Sequence, residues 1–117
     1  MLVVIALSDE DDKSAESAAY YENFFNSIKP NFESGDKAWL FNFIGVLDLS
    51  SACRTFNDYS EPGLLFMDLA DRSGGKKESI CASDLSTAVT NIHARIVSIV
   101  TEYKLNRLPV VSSIVVY

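Results

Sequence analysis

Residues 62–71 read Pro62-Gly63-Leu64-Leu65-Phe66-Met67-Asp68-Leu69-Ala70-Asp71. This run begins with two turn-forming residues, continues with apolar side chains, and then reaches two carboxylates. An unbroken apolar run bounded by turn signals is typical of a strand that is buried on both faces of a sheet. We therefore predict the central strand of the fold here, with residues 64–67 almost fully buried.

Strand-like and helix-like segments alternate along the rest of the chain. Apolar or β-branched runs predict further strands at residues 2–7, 38–44 and 108–117. Apolar residues at helical spacing predict helices at residues 14–28, 49–56 and 84–103. This alternation predicts an α/β fold with a doubly wound, mostly parallel sheet of four to five strands and helices on its faces. We expect a single α/β domain over residues 1–117, and leave open whether residues 78–82 add a short strand.

The charge of the chain is concentrated in its first third. Sixteen acidic residues against ten basic ones give a formal net charge of -6. Residues 1–36 contain eight acidic and two basic residues, a difference of -6, while residues 37–117 contain eight of each. Binding to nucleic acid or to an anionic membrane needs clustered Lys and Arg, so we expect neither. The pattern favours a basic protein partner or a cation.

The two cysteines and the apolar first residues bear on the cellular compartment. Cys53 and Cys81 lie 28 positions apart, without a CxxC motif and beside apolar residues. We expect them to be reduced, half-buried core thiols. Residues 1–7 are apolar but contain no basic residue and lead directly into acids, which is typical of a strand and not of a signal peptide. The sequence therefore predicts a cytoplasmic protein.

Acidic side chains follow two of the predicted strands. Asp9 and Glu10 come directly after the first strand, and Asp68 lies in the central one. Ligands of doubly wound folds gather outside the carboxyl ends of the strands, where converging carboxylates would attract a hard cation such as Mg²⁺. One hypothesis is therefore a metal site formed by these three residues. The alternative is that they are solvated surface acids.

Three of the predicted strands resemble strands of a known family. Residues 2–10, 64–69 and 108–111 look like the first, third and fourth strands of response-regulator receiver domains. The resemblance implies that Asp9 and Glu10 match the paired acids that bind Mg²⁺, and that Asp68 matches the aspartate that accepts a phosphoryl group. It implies a receiver-like binding domain.

A weaker resemblance is to the thioredoxin-like fold. It depends on Pro62 before the central strand and on residues 78–82 pairing back onto that strand. The redox motif of that fold should follow the first strand, where this chain has Ser8-Asp9-Glu10-Asp11. The resemblance thus implies a redox-inactive domain.

The favoured function is that of a non-enzymatic module that binds another protein as a regulator or inhibitor. It depends on the segregated charge and on the lack of a complete catalytic set, since His93 is the single histidine. We predict that the acidic run Asp9, Glu10, Asp11 and Asp12 contacts the partner, and that the strand at 108–117 contributes to a homodimer. The alternative is a Mg²⁺-dependent phosphoacceptor or hydrolase site at Asp9, Glu10 and Asp68. Apart from Mg²⁺, no cofactor is expected.

Overall fold

The computed structural model describes residues 1–50, Cys53 and residues 61–106, with side chains described as far as Glu102. These residues form three strands and three helices in alternation. In chain order they are β1 (Leu2–Ser8), α1 (Ala18–Ile28), β2 (Trp39–Gly45), α2 (Leu64–Ser73), β3 (Lys77–Ser79) and α3 (Ser86–Asn106). The mixed α/β class is confirmed. The predicted strand at 108–117, with the dimer contact assigned to it, lies outside the described residues, as does most of the predicted helix at 49–56.

The three strands form one parallel sheet in the order β1-β2-β3. β1 pairs with β2 along its whole length, from Leu2 opposite Trp39 to Ser8 opposite Gly45. β3 is shorter and pairs only with the last residues of β2, from Phe43 opposite Lys77 onward. The described residues therefore confirm a parallel sheet, while four to five strands and double winding are not confirmed. Residues 77–79 do form a short strand, close to the segment that the sequence left open.

The predicted central strand at residues 64–67 is wrong, because these residues begin helix α2. Leu64 is 63% exposed, whereas Leu69 and Ala70 are buried, so the helix buries one side only. The prediction of near-complete burial for 64–67 fails with the strand. The central strand is β2, in which all seven residues are buried.

Two features of the sequence favour a helix at the end of this apolar run. Asp68 and Arg72 form an ion pair at the i,i+4 spacing, which brings side chains together on a helix. Gly74 then adopts a left-handed conformation with φ 77°, which ends the helix at low cost because glycine has no Cβ. A run of four apolar residues fits a strand and a helix equally well, so periodicity could not decide between them.

Helices cover both sides of β2. On one side, Trp39, Phe41 and Phe43 pack against α1 and α2, together with Ala18 and Leu69. The ring of Phe25 on α1 stacks on Trp39 at 4.8 Å between ring centroids. On the other side, Ile44 packs against α3 through Ala88 and Ile92. Because neighbouring residues of a strand point to opposite faces, one buried strand organises both apolar clusters.

The ring of Phe43 fills a slot bounded by two glycines. A Cβ atom on either Gly45 or Gly63 would overlap this ring. Gly63 immediately precedes α2, and its N–H donates to the carbonyl oxygen of Val46 at 2.9 Å. The absence of side chains at both positions therefore lets the start of α2 lie close to the sheet.

Cys53 and Cys81 form a disulfide bond, so the prediction of reduced thiols is wrong. Both residues are buried and belong to a cluster with Val46, against which Ile80 also packs. A spacing of 28 residues without a motif carries no information about distance in space, so the sequence could not reveal the pair. The bond links the segment after β2 to the turn after β3.

Candidate functional site: the open flank of β1

Strand β1 lies at the edge of the sheet, paired on one side with β2 and, within the described part of the chain, with nothing on the other. The N–H of Leu2 donates to the carbonyl oxygen of Ala38 at 2.8 Å. In a parallel ladder, alternate residues direct both backbone groups to the same neighbour. Leu2 faces β2, and the residues that direct their N–H and C=O away from it are therefore Val3, Ile5 and Leu7.

The side chains of Val3, Ile5 and Leu7 lie on the face of the sheet that carries α3. Leu2, Val4 and Ala6, on the opposite face, pack against the cluster formed with α1 and α2. Ile5 and Leu7 are 53% and 62% exposed. Helix α3 packs on Ile44 of β2 and leaves this part of the neighbouring strand uncovered.

Helix α1 continues the apolar surface on the other face of the sheet. Tyr20, Phe24 and Ile28 recur at four-residue spacing and are each about half exposed. Glu22 lies on the side of α1 that faces α2, because it forms an ion pair with Arg72. The three apolar residues lie on the opposite side of the helix. Because α2 packs on β2 and α1 packs beside α2 on the same face of the sheet, this side of α1 is directed toward the edge of β1 that faces away from β2. We call Ile5 and Leu7, together with these three residues, the open flank.

The acidic run at the end of β1 divides into two pairs with different roles. Asp9 and Glu10 are exposed, and among the described residues neither forms a salt bridge. The hydroxyl of Ser8 accepts from Glu10 N at 3.2 Å, which holds the backbone in a turn. These two carboxylates are therefore free to meet a partner beside the open flank.

Asp11 and Asp12 are half-buried and maintain local structure instead. Asp11 Oδ1 accepts from the N–H of Leu65 at 3.0 Å. That bond caps the start of α2, where Gly63 offers no side-chain acceptor. Asp12 accepts hydrogen bonds from the side chain and N–H of Ser14, and the side-chain bond is the main cause that lowers the pKa of Asp12. Sequence reasoning assigned all four acids to partner binding and missed the cap, which the glycine before α2 could have indicated.

The structure does not assemble the predicted metal ligands. Asp68 lies on α2 and accepts from Arg72 Nε at 2.9 Å, not at the carboxyl end of a strand. Among the described residues, no three His, Cys, Asp or Glu side chains are grouped closely enough to hold a metal ion. The receiver resemblance aligned Asp68 with the end of a third strand, whereas in the structure Asp68 lies on a helix. His93 is exposed on α3.

A cavity of about 500 Å³ lies at the opposite ends of the strands. Its charged lining is balanced between acids and bases: Asp36, Asp71, Glu102, Lys37, Arg72 and Arg95. Lys37 and Arg72 both pair with Glu22, and Arg95 Nε donates to the carbonyl oxygen of Gly74 at 2.8 Å. The three basic groups are thus engaged within the domain, and the cavity does not favour an anionic ligand.

Comparison with protein-family models, with curated proteins and with solved structures finds no match to this chain. Within the part of the chain that the structure describes, no helix is long and apolar enough to cross a membrane. The receiver-like and thioredoxin-like resemblances therefore stay predictions.

Proposed function

We propose that this domain is a non-enzymatic binding module that joins a protein partner along the open flank of β1. The observation that carries the proposal is the exposure of Ile5 and Leu7 on an edge strand, next to the apolar stripe on α1. Exposed apolar side chains on both faces beside a strand edge that has no partner among the described residues are costly in water and favour association. The flank thus offers both apolar contact and backbone hydrogen bonds to a partner.

Charge supports a partner with basic groups. Asp9 and Glu10 adjoin the flank without ion pairs of their own in the described part of the chain. The first third of the chain, which contains both β1 and α1, holds eight acidic residues against two basic ones. Complementary charge at the rim of an interface mainly accelerates association and excludes wrong partners.

Site-specific photo-crosslinking tests this proposal. A photoreactive residue at Phe24 or Leu7, in protein expressed in its native host, is expected to form an adduct with one protein partner. The adduct should be lost when Ile5→Lys is added to the Phe24 probe. Leu64 on α2 is the comparison position, because it is apolar and 63% exposed but is not part of the open flank. Equal adducts from Leu64, or no adduct from either flank position, would reject the proposal.

We further propose that the protein works in an oxidising compartment. The disulfide between Cys53 and Cys81 is buried with Val46, which is the environment of a structural bond and not of a reactive one. Such bonds persist mainly in secreted, periplasmic or extracellular proteins. This proposal differs from the cytoplasmic location that was predicted from the lack of a signal peptide.

The compartment can be tested by trapping thiols at the moment of lysis. Protein taken from its host into denaturant with an alkylating reagent should carry no label at either cysteine, and should acquire two labels after reduction. Full labelling without reduction would place the chain in a reducing compartment.

A further inference from the structure

We propose that the occupant of the open flank is an extended β-strand that pairs parallel to β1 and carries Lys or Arg at the end beside Asp9 and Glu10. This inference rests on the proposed function and specifies the form of the partner.

The backbone of β1 is regular and carries no feature that would block the addition of a strand. Its ladder with β2 is regular over all seven residues, so the outward groups of Val3, Ile5 and Leu7 stand in a straight row. Natural edge strands are usually blocked by proline, by an inward-pointing charge or by a bulge. β1 has the sequence Leu-Val-Val-Ile-Ala-Leu-Ser and contains neither a proline nor a charged residue. An added strand would give each outward N–H and C=O a partner.

The apolar surfaces on either side determine the composition of that strand. Ile5 and Leu7 would border the added strand on the face of the sheet that carries α3. Tyr20, Phe24 and Ile28 would border it on the face that carries α1. A strand placed between them would be buried on both faces. Strands buried on both faces are rich in consecutive β-branched residues and belong to parallel sheets, as the three described strands do.

Charge favours a foreign strand over a second copy of this chain. Two copies related by a two-fold axis would pair their β1 strands antiparallel. Asp9 and Glu10 of each copy would then lie beside residues 1–7 of the other, which contain no basic side chain. A parallel partner strand would instead place its carboxyl end beside Asp9 and Glu10, where Lys or Arg is favourable.

A set of synthetic peptides tests the inference on the full chain. The probe is acetyl-Thr-Val-Val-Ile-Val-Thr-Lys-Lys. One twin ends in Glu-Glu, a second carries the two lysines at its amino end, and a third has alternate amides N-methylated to remove strand pairing. Hydrogen exchange of individual amides reports where each peptide binds. Val4 and Ala6 are the internal controls, because their N–H groups already face β2.

We expect the probe to slow exchange at Val3, Ile5 and Leu7 by roughly tenfold or more, with little change at the two control amides. The Glu-Glu twin should bind about tenfold more weakly at low salt, and the N-methylated twin should give no protection at these amides. Stronger binding by the twin with amino-terminal lysines would reject the parallel orientation. Equal binding by the N-methylated twin would reject strand pairing altogether.

Two further outcomes name other occupants and would overturn the inference. Protection of Val3, Ile5 and Leu7 in dilute protein without peptide would show that another part of the chain already covers the edge. Protection that grows with protein concentration, with dimers in sedimentation, would assign the flank to a second copy. If crosslinking from Phe24 captures a partner but no peptide protects β1, the proposed function stands and the strand-addition model fails.

Discussion

The hydroxyl of Ser73 binds the backbone of Phe41 at a point where a neighbouring strand would otherwise supply the hydrogen bond. Its Oγ accepts from Phe41 N at 2.8 Å and lies 3.2 Å from the Phe41 carbonyl oxygen. β3 begins to pair only at Phe43, so without Ser73 the outward backbone groups of Phe41 would be buried with no partner from β3. A single side chain at the end of α2 thus completes the edge of the central strand.

We predict that Ser73→Ala lowers the free energy of unfolding by roughly 1–3 kcal/mol, because it leaves a buried N–H unsatisfied. Urea denaturation measures the change. Ser27→Ala is the matched control, since the Ser27 hydroxyl donates to Phe24 O on the exposed surface of α1. Equal midpoints for the two variants would contradict the role assigned to Ser73.

We predict that Gly75→Ala destabilises the domain by about 1–3 kcal/mol or more, because the added Cβ would overlap the backbone carbonyl of Phe41. The comparison is Gly35→Ala, where a Cβ meets no atom and the cost comes only from the backbone angle of φ 90°. Thermal unfolding should rank Gly75→Ala as the less stable variant. The opposite ranking would mean that the approach of residue 75 to β2 is not needed.

We predict that reducing the Cys53–Cys81 bond costs roughly 2–4 kcal/mol of stability, since the bond restricts the unfolded chain. Guanidinium denaturation with and without a reductant gives the difference. In the double variant Cys53→Ala, Cys81→Ala, the reductant should have no effect. A shift that persists in that variant would come from the reductant itself.

We predict that Glu22→Gln destabilises the protein at neutral pH and that the difference shrinks in acid. Hydrogen bonds from Lys37, and then from Arg72, hold the pKa of Glu22 below its ordinary value of 4.5. A lowered folded pKa stabilises the protein above the unfolded value, and this stabilisation is lost as the pH falls through the folded one. Melting temperatures from pH 7 down to pH 3 test this, with Glu16→Gln as an exposed control. A constant difference across that range would contradict the ion-pair explanation.

We predict that Asp11→Ala and Asp9→Ala differ sharply in stability. Loss of the Asp11 cap on Leu65 N should cost about 1 kcal/mol. Asp9 is exposed, so its removal should change stability by less than about 0.5 kcal/mol. Chemical denaturation of the two variants measures both effects. If Asp9→Ala is the more damaging change, the division of the acidic run is incorrect.

Part of this fold could be predicted from the sequence, because a long and regular apolar pattern fits only one type of secondary structure. The apolar run at 2–7 and the aromatic run at 38–44 both form strands close to the predicted bounds. Tyr21 and Phe25, at helical spacing, indicated α1, although the helix begins at Ala18, with Ser17 as its N-cap, and not at residue 14. In each case local propensity and tertiary burial agree.

The remaining features depend on contacts between distant parts of the chain. Whether Leu64 begins a strand or a helix is decided by packing against β2, which a short apolar run does not encode. The pairing of Cys53 with Cys81 and the cap from Asp11 to Leu65 join positions 28 and 54 residues apart. The open flank arises from the order of the strands, and the sequence alone did not place β1 at an edge.

The slot around Phe43 has a consequence for how this protein can change over generations. Gly45 and Gly63 each exclude a Cβ because the aromatic ring occupies that space. A smaller residue at Phe43 would make room for a Cβ at Gly63, but not at Gly45, where the backbone carbonyl oxygen of Ser8 also lies too close. Position 63 can therefore accept a larger residue once the ring has become smaller, whereas the neighbouring strand β1 keeps position 45 a glycine whatever stands at Phe43.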